Sequence, residues 1–131
     1  MNVVRDLAAS AVVPDVGFLV IGGKDGEGNS MDTTEGFRDN RDGWIYGPVT
    51  PGSIYHHCAT IFQDMVVLVT GGIGQKNEFL NQTFVINMVT DQITILPSML
   101  WARAQHGCAA TEQGYVVAGG YSGDVHIYYY S

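Results

Sequence analysis

A chain of 131 residues that is 46% hydrophobic can bury the core of one ordinary domain, which excludes a disordered polypeptide. Its 13 acidic residues against 6 basic ones give a net charge of −7 and leave no lysine or arginine cluster to displace counterions, so no nucleic acid partner is expected. The apolar runs are about strand length, far short of the roughly 20 residues that span a bilayer, so no membrane insertion is expected.

The chain opens with MNVVRDLAASAVVPD, in which arginine, aspartate and short apolar runs are too polar for a signal-peptide core. With no signal peptide or transmembrane segment read here, localisation stays open. A first strand near Leu7 leads to DVGFLVIGG at 15 to 23, an apolar run that ends in Gly22 and Gly23. The loop at 24 to 33 follows. Its segment DGEGNSMD alternates oxygen donors as a calcium loop does, but it lacks glycine at the sixth place and an acid at the twelfth, where Gly36 stands. A solvated connection between strands is the better reading. GGKDGEGNS matches neither phosphate-binding glycine pattern, so no nucleotide is expected there. Asp39, Arg41 and Asp42 alternate in sign and read as an exposed turn, after which DGWIYGP at 42 to 48 carries Trp44.

Four strands are predicted in the next stretch: HHCATIF (56 to 62), MVVLVTGG (65 to 72), QTFVINMV (82 to 89) and QITILP (92 to 97). They are rich in β-branched and aromatic residues and are separated by QD, GQKN and TD turns. QGYVVAGG follows at 113 to 120, and VHIYYYS at 125 to 131 reads as a further strand with aromatic stacking. No window has the 3.6-residue apolar period of an amphipathic helix, so the chain reads as all-β.

These stretches are copies of one another. An offset of 49 pairs Asp15 with Asp64, Leu19 with Leu68, Val20 with Val69, Gly22 and Gly23 with Gly71 and Gly72, Asp42 with Asp91 and Pro48 with Pro97. His57 falls on His106, and Gly119 and Gly120 arrive one residue early. Arg5 matches Arg103, with Ala8 at the histidine place. A period near 50 is the spacing of a four-stranded propeller blade. Glycine after the second strand would allow positive φ and close backbone approach between neighbours.

An apolar strand ending in two glycines, then an aromatic or apolar position, tryptophan, proline and an arginine-histidine pair, resembles the kelch repeat. Here VVLVTGG, TFVIN, Trp44 (with Ile93 in its place in the second copy) and LPSMLWARAQHGCA carry the likeness, while Ile54 stands where the arginine would be. The resemblance implies a kelch-type β-propeller segment of about three four-stranded blades, at about 5–49, 54–98 and 103–131, the last incomplete. Since propellers close with about four to eight blades, it also implies either a piece of a larger kelch protein or copies that self-associate to complete a ring.

The function implied is a non-enzymatic protein-binding module, a scaffold or substrate adaptor, that presents loops on a rigid propeller. The loop candidates are Lys24, Asp25, Glu27, Asn29, Gln75, Lys76, Asn77, Tyr121 and Asp124, on loops at 24 to 33, 73 to 81 and 121 to 124 that differ in length and charge. Gly22, Gly23, Trp44, Gly71, Gly72, Arg103, His106, Gly119 and Gly120 are assigned to the structural motif. Part of a propeller enzyme of the carbohydrate oxidase or epimerase type is the alternative. No catalytic residue is assigned, because no GxSxG elbow occurs and the acidic residues sit in turns. His56, His57, Cys58, His106 and Cys108 are metal-ligand types on neighbouring copies, yet the histidines fall at a structural place in the repeat, so neither a metal nor a cofactor is expected. Cys58 and Cys108 read as small buried apolar residues in preference to a disulfide. Asn81 begins NQT, a glycosylation pattern.

Overall fold

The computed structural model describes residues 2–38, 43–63, 65–121 and 126–129, the last four by their backbone. Asp39, Arg41, Asp42, Asp64 and Asp124 lie outside them. Eleven strands and no helix are formed among the described residues. In sheet I, β1 (Ala9–Val13), β2 (Gly17–Ile21), β3 (Thr34–Arg38) and β4 (Trp44–Tyr46) pair in that order. Sheet II repeats the arrangement with β5 (Cys58–Phe62), β6 (Val66–Thr70), β7 (Thr83–Asn87) and β8 (Ile93–Leu96), and sheet III pairs β9 (Gly107–Ala110), β10 (Gly114–Ala118) and β11 (His126–Tyr129). Every pairing is antiparallel.

The strands form where β-branched residues run together, and they turn where a residue accepts a left-handed backbone. Asp15 (φ 63°) and Gln63 (φ 56°) close the β1–β2 and β5–β6 turns, and Asn77 and Asp91 adopt the same region in later turns. Asn87 holds the β7–β8 turn by accepting the Val89 and Thr90 N–H groups at 2.9 and 3.1 Å on its side-chain oxygen.

Two cores stack the sheets. Between I and II lie Ala11, Val13, Leu19 and Ile21 against Val67, Val69, Phe84 and Ile86. Between II and III lie Phe62 and Leu68 against Tyr115 and Val117, with Cys108 and Ala110 at the margin. Sheet II is thus apolar on both faces, which is why VVLVT has no alternation of polar and apolar residues. Arg38 ties sheet I to II by donating to the Met88 carbonyl and pairing with Asp91 at 2.6 Å.

The double glycines sit where neighbouring sheets meet. Gly22 and Gly71 have φ near 60°, and a Cβ there would lie 2.5 Å from the Ile54 carbonyl and 2.4 Å from the Arg103 carbonyl, each on the following sheet. The His57 and His106 rings also press on Gly22 and Gly71 respectively. Gly119, the third of the series, has nothing within 4 Å of the same point. The second glycine of each pair donates its N–H across the joint, Gly23 to Ile54 and Gly72 to Arg103, both at 2.8 Å. A parallel series runs from the His56 N–H to the Leu7 carbonyl (3.1 Å) and from the Gln105 N–H to the His56 carbonyl (2.8 Å), with φ of 59°, 57° and 56° at Leu7, His56 and Gln105.

Cys58 and Cys108 are joined by a disulfide, with Cα atoms 6.1 Å apart, and are not two free buried residues. The physical reason lies in the register. Residues 49 apart point the same way on consecutive sheets, but these two are 50 apart, and side chains alternate faces along a strand. Cys58 therefore points from sheet II toward III, and Cys108 points from III back toward II.

Candidate partner-binding site

The hairpins that follow the double glycines are built alike. Lys24 bridges Ser30 and Ile73 bridges Phe79, each closing seven residues. Asp25 N–H donates to the Asn29 carbonyl at 2.9 Å, as Gly74 does to Glu78 at 2.9 Å. Gly28 (φ 83°) and Asn77 (φ 60°) hold the same left-handed place, one because glycine has no Cβ and the other because asparagine tolerates that region. The first two loops thus share one backbone and differ in side chains, where the sequence suggests a difference in length.

The two hairpins border an open polar pocket of about 420 Å³ between sheets I and II. Lys24, Gly28, Asn29 and Ser30 line it from one side, Gln75 and Asn77 from the other, and Tyr55 between them. Tyr55 is the organiser: its hydroxyl donates to Asn77 Oδ1 at 2.8 Å, while Lys24 Nζ rests 4.3 Å from its ring centroid. That cation–π contact, worth about 0.5–1 kcal/mol, holds the ammonium over the pocket rather than free in solvent. Ser30 is steadied by a hydroxyl contact with Ser53 at 2.8 Å.

The structure divides the loop candidates. Lys24, Asn29, Gln75 and Asn77 meet at the pocket. Asp25 turns into its own hairpin, where its carboxylate accepts the Glu27 and Asn29 N–H groups at 2.9 and 3.0 Å; the bond from Asn29, then that from Glu27, lowers its pKa. Both of those bonds are accepted by Oδ1. Glu27 and Lys76 are exposed on the hairpin tips. Tyr121 stands apart at the next joint, stacked on Phe79 with ring centroids 6.0 Å apart and planes 12° from parallel.

Of the motif residues, Gly22, Gly23, Gly71, Gly72 and His106 serve the joints, while Trp44 packs on Phe18 and Phe37 within sheet I and Gly119 is uncovered. Arg103 is fully buried and reaches the Gly119 carbonyl. Its counterpart Arg5 pairs with buried Glu35 at 3.0 Å and donates to the Gly22 and Thr33 carbonyls. His106 Nε2 lies 2.8 Å from Thr70 Oγ1, and desolvation, then the Arg103 charge, pushes its pKa down to about 4. His57 is pushed down to about 4 chiefly by burial; the Ile21 carbonyl opposes this weakly without a hydrogen bond of ordinary geometry. The His56 ring accepts from the Gln105 side-chain amide at 3.1 Å. With the cysteines bonded to each other, no group of three or more His, Cys, Asp or Glu side chains among the described residues is placed to hold a metal.

Sequence reasoning did not reach Tyr55 and Ser30. Tyr55 is placed by the fold: it follows Ile54, whose carbonyl receives the Gly23 N–H, and Lys24 follows that glycine. No protein-family model matches the chain, and no curated protein matches its sequence.

Proposed function

We propose that the three stacked sheets are consecutive units of a kelch-type β-propeller scaffold and that the chain is a non-enzymatic protein-binding module. The double glycines, the Arg103–His106 pair and the repeat of 49 support the scaffold reading. The observation that carries the binding reading is the pocket itself. Two hairpins of one backbone shape, differing only in side chains, bring an ammonium, three amides and hydroxyls together on a rigid base. A fixed frame with variable tips is the arrangement by which loops recognise partners. The lining carries one cation and no carboxylate, which suits a partner segment rich in carboxylate and backbone carbonyl acceptors.

The test is retention of partner proteins from extract on the immobilised chain, with binding constants measured for each protein recovered. Lys24→Ala and Asn77→Gly, the latter chosen to keep the left-handed backbone, each weaken binding by about tenfold, the effect of losing a hydrogen bond or ion pair worth about 1.4 kcal/mol. Thr94→Ala, on β8 away from the pocket, leaves it unchanged. Equal affinity of all four proteins refutes the assignment.

A further inference from the structure

The geometry points to a second copy of this chain as the occupant of the outer faces of sheets I and III, joined head to tail into a closed pair. The register shows that the outer face of sheet I is built as an inter-sheet face. It carries Val12, Phe18, Phe37 and Trp44, paired in line across the four strands, and Val20, which pairs with Ser10 and Glu35 in the next line. Their equivalents 49 residues on, Ile61, Val67, Val69, Ile86 and Ile93, are the residues that sheet II presses against sheet I. On sheet I this face is open, with Val12 67% and Phe37 38% exposed, and its aromatics hold each other in place: Phe18 and Trp44 meet edge to face at 5.0 Å.

Sheet III offers the matching surface. Its residues toward sheet II are Cys108, Ala110, Tyr115 and Val117, so Ala109, Val116 and Ala118 face outward. Leu19 and Ile21 occupy the places of Val116 and Ala118 in the joint between I and II. Smaller residues at the outer face of III leave room for the larger aromatics of I. The open ground over Gly119 fits the same docking, because the equivalent points on Gly22 and Gly71 are covered by the following sheet.

The backbone is complementary as well. Gly23 donates to Ile54 and Gly72 to Arg103, so the next bond in the series runs from Gly120 N–H to the Arg5 carbonyl of a second copy. His56 donates to Leu7 and Gln105 to His56, so the next runs from the second copy's Leu7 N–H to the Gln105 carbonyl. Ala8 then sits over Gly119 where the other joints place a histidine ring. Two copies bring six sheets together, within the range of about four to eight at which propellers close, and a heterologous contact that closes ends in a discrete particle.

Light scattering after size exclusion tests this on the 131-residue chain. The expected result is twice the chain mass at micromolar concentration. Phe37→Glu and Val116→Glu change one outer face each, at partly exposed positions, and each alone gives a folded monomer by circular dichroism. Mixed in equal amounts they re-form dimers, since one copy then contributes an intact sheet III and the other an intact sheet I. A monomer throughout the concentration range, open-ended oligomers, a dimer that survives Val116→Glu, or a mixture that stays monomeric each overturns the proposal. Neither residue lines the pocket at Tyr55, so this proposal and the partner-binding reading fail independently.

Discussion

His57 has to give up its charge to occupy its place. Burial holds its pKa at about 4 against an ordinary 6.5, so between those values the unfolded chain takes up a proton that the folded chain refuses. Its contribution is complete above about pH 6.5 and is lost as the pH falls toward 4, by roughly 3 kcal/mol in all. His106 adds in the same direction, but less, because its ring is partly solvated. Urea unfolding at pH 7 and pH 4.5 should show the loss, and His57→Leu should flatten it. Gly71 and Gly119 make a second test at this scale, since both have positive φ and only one is crowded. Gly119→Ala costs about 1–2 kcal/mol for the left-handed backbone alone. Gly71→Ala adds the clash with the Arg103 carbonyl and should exceed about 3 kcal/mol, read as a shift in the urea midpoint.

At the scale of strands and sheets, the Cys58–Cys108 bond closes a loop of about 50 residues across the joint between II and III. Chain entropy assigns such a loop about 4 kcal/mol. Reduction, or Cys58→Ser, should lower the unfolding free energy by up to that amount while the circular dichroism of the sheets is kept; an unchanged midpoint refutes the staple. The strands themselves were legible in sequence: those predicted at 56 to 62, 65 to 72, 82 to 89 and 92 to 97 form within those bounds, because β-branched runs between turn residues have few alternatives. The disulfide was not, although its cause was on view. A spacing of 50 against a repeat of 49 reverses which face a side chain takes, and that parity matters only once the sheets are known to stack. Tyr55 was missed for a related reason, since its partners Lys24 and Asn77 belong to two different repeats and local pattern reading stays within one.

The whole molecule is a stack in which each joint reuses the one before it: a carbonyl over the first glycine, an N–H from the second, and apolar faces between. This is why a second copy can be placed without new chemistry, and why Gly119→Ala acts twice. Its methyl group would meet the Arg5 carbonyl of the second copy, so the pair should separate at concentrations where the unsubstituted chain is dimeric.

Leu7, His56 and Gln105 share a backbone shape and a place in the hydrogen-bond series but nothing in side-chain chemistry. The joint asks only that each tolerate the left-handed region, and it takes its bond from the main chain. The Gln105 amide does touch the His56 ring, but the backbone bond at each rung needs no particular side chain, so the repeat can vary an apolar, an aromatic and an amide group there without rebuilding its frame. A row of positions freed in this way is a place where such an architecture can acquire new surface chemistry at little structural cost.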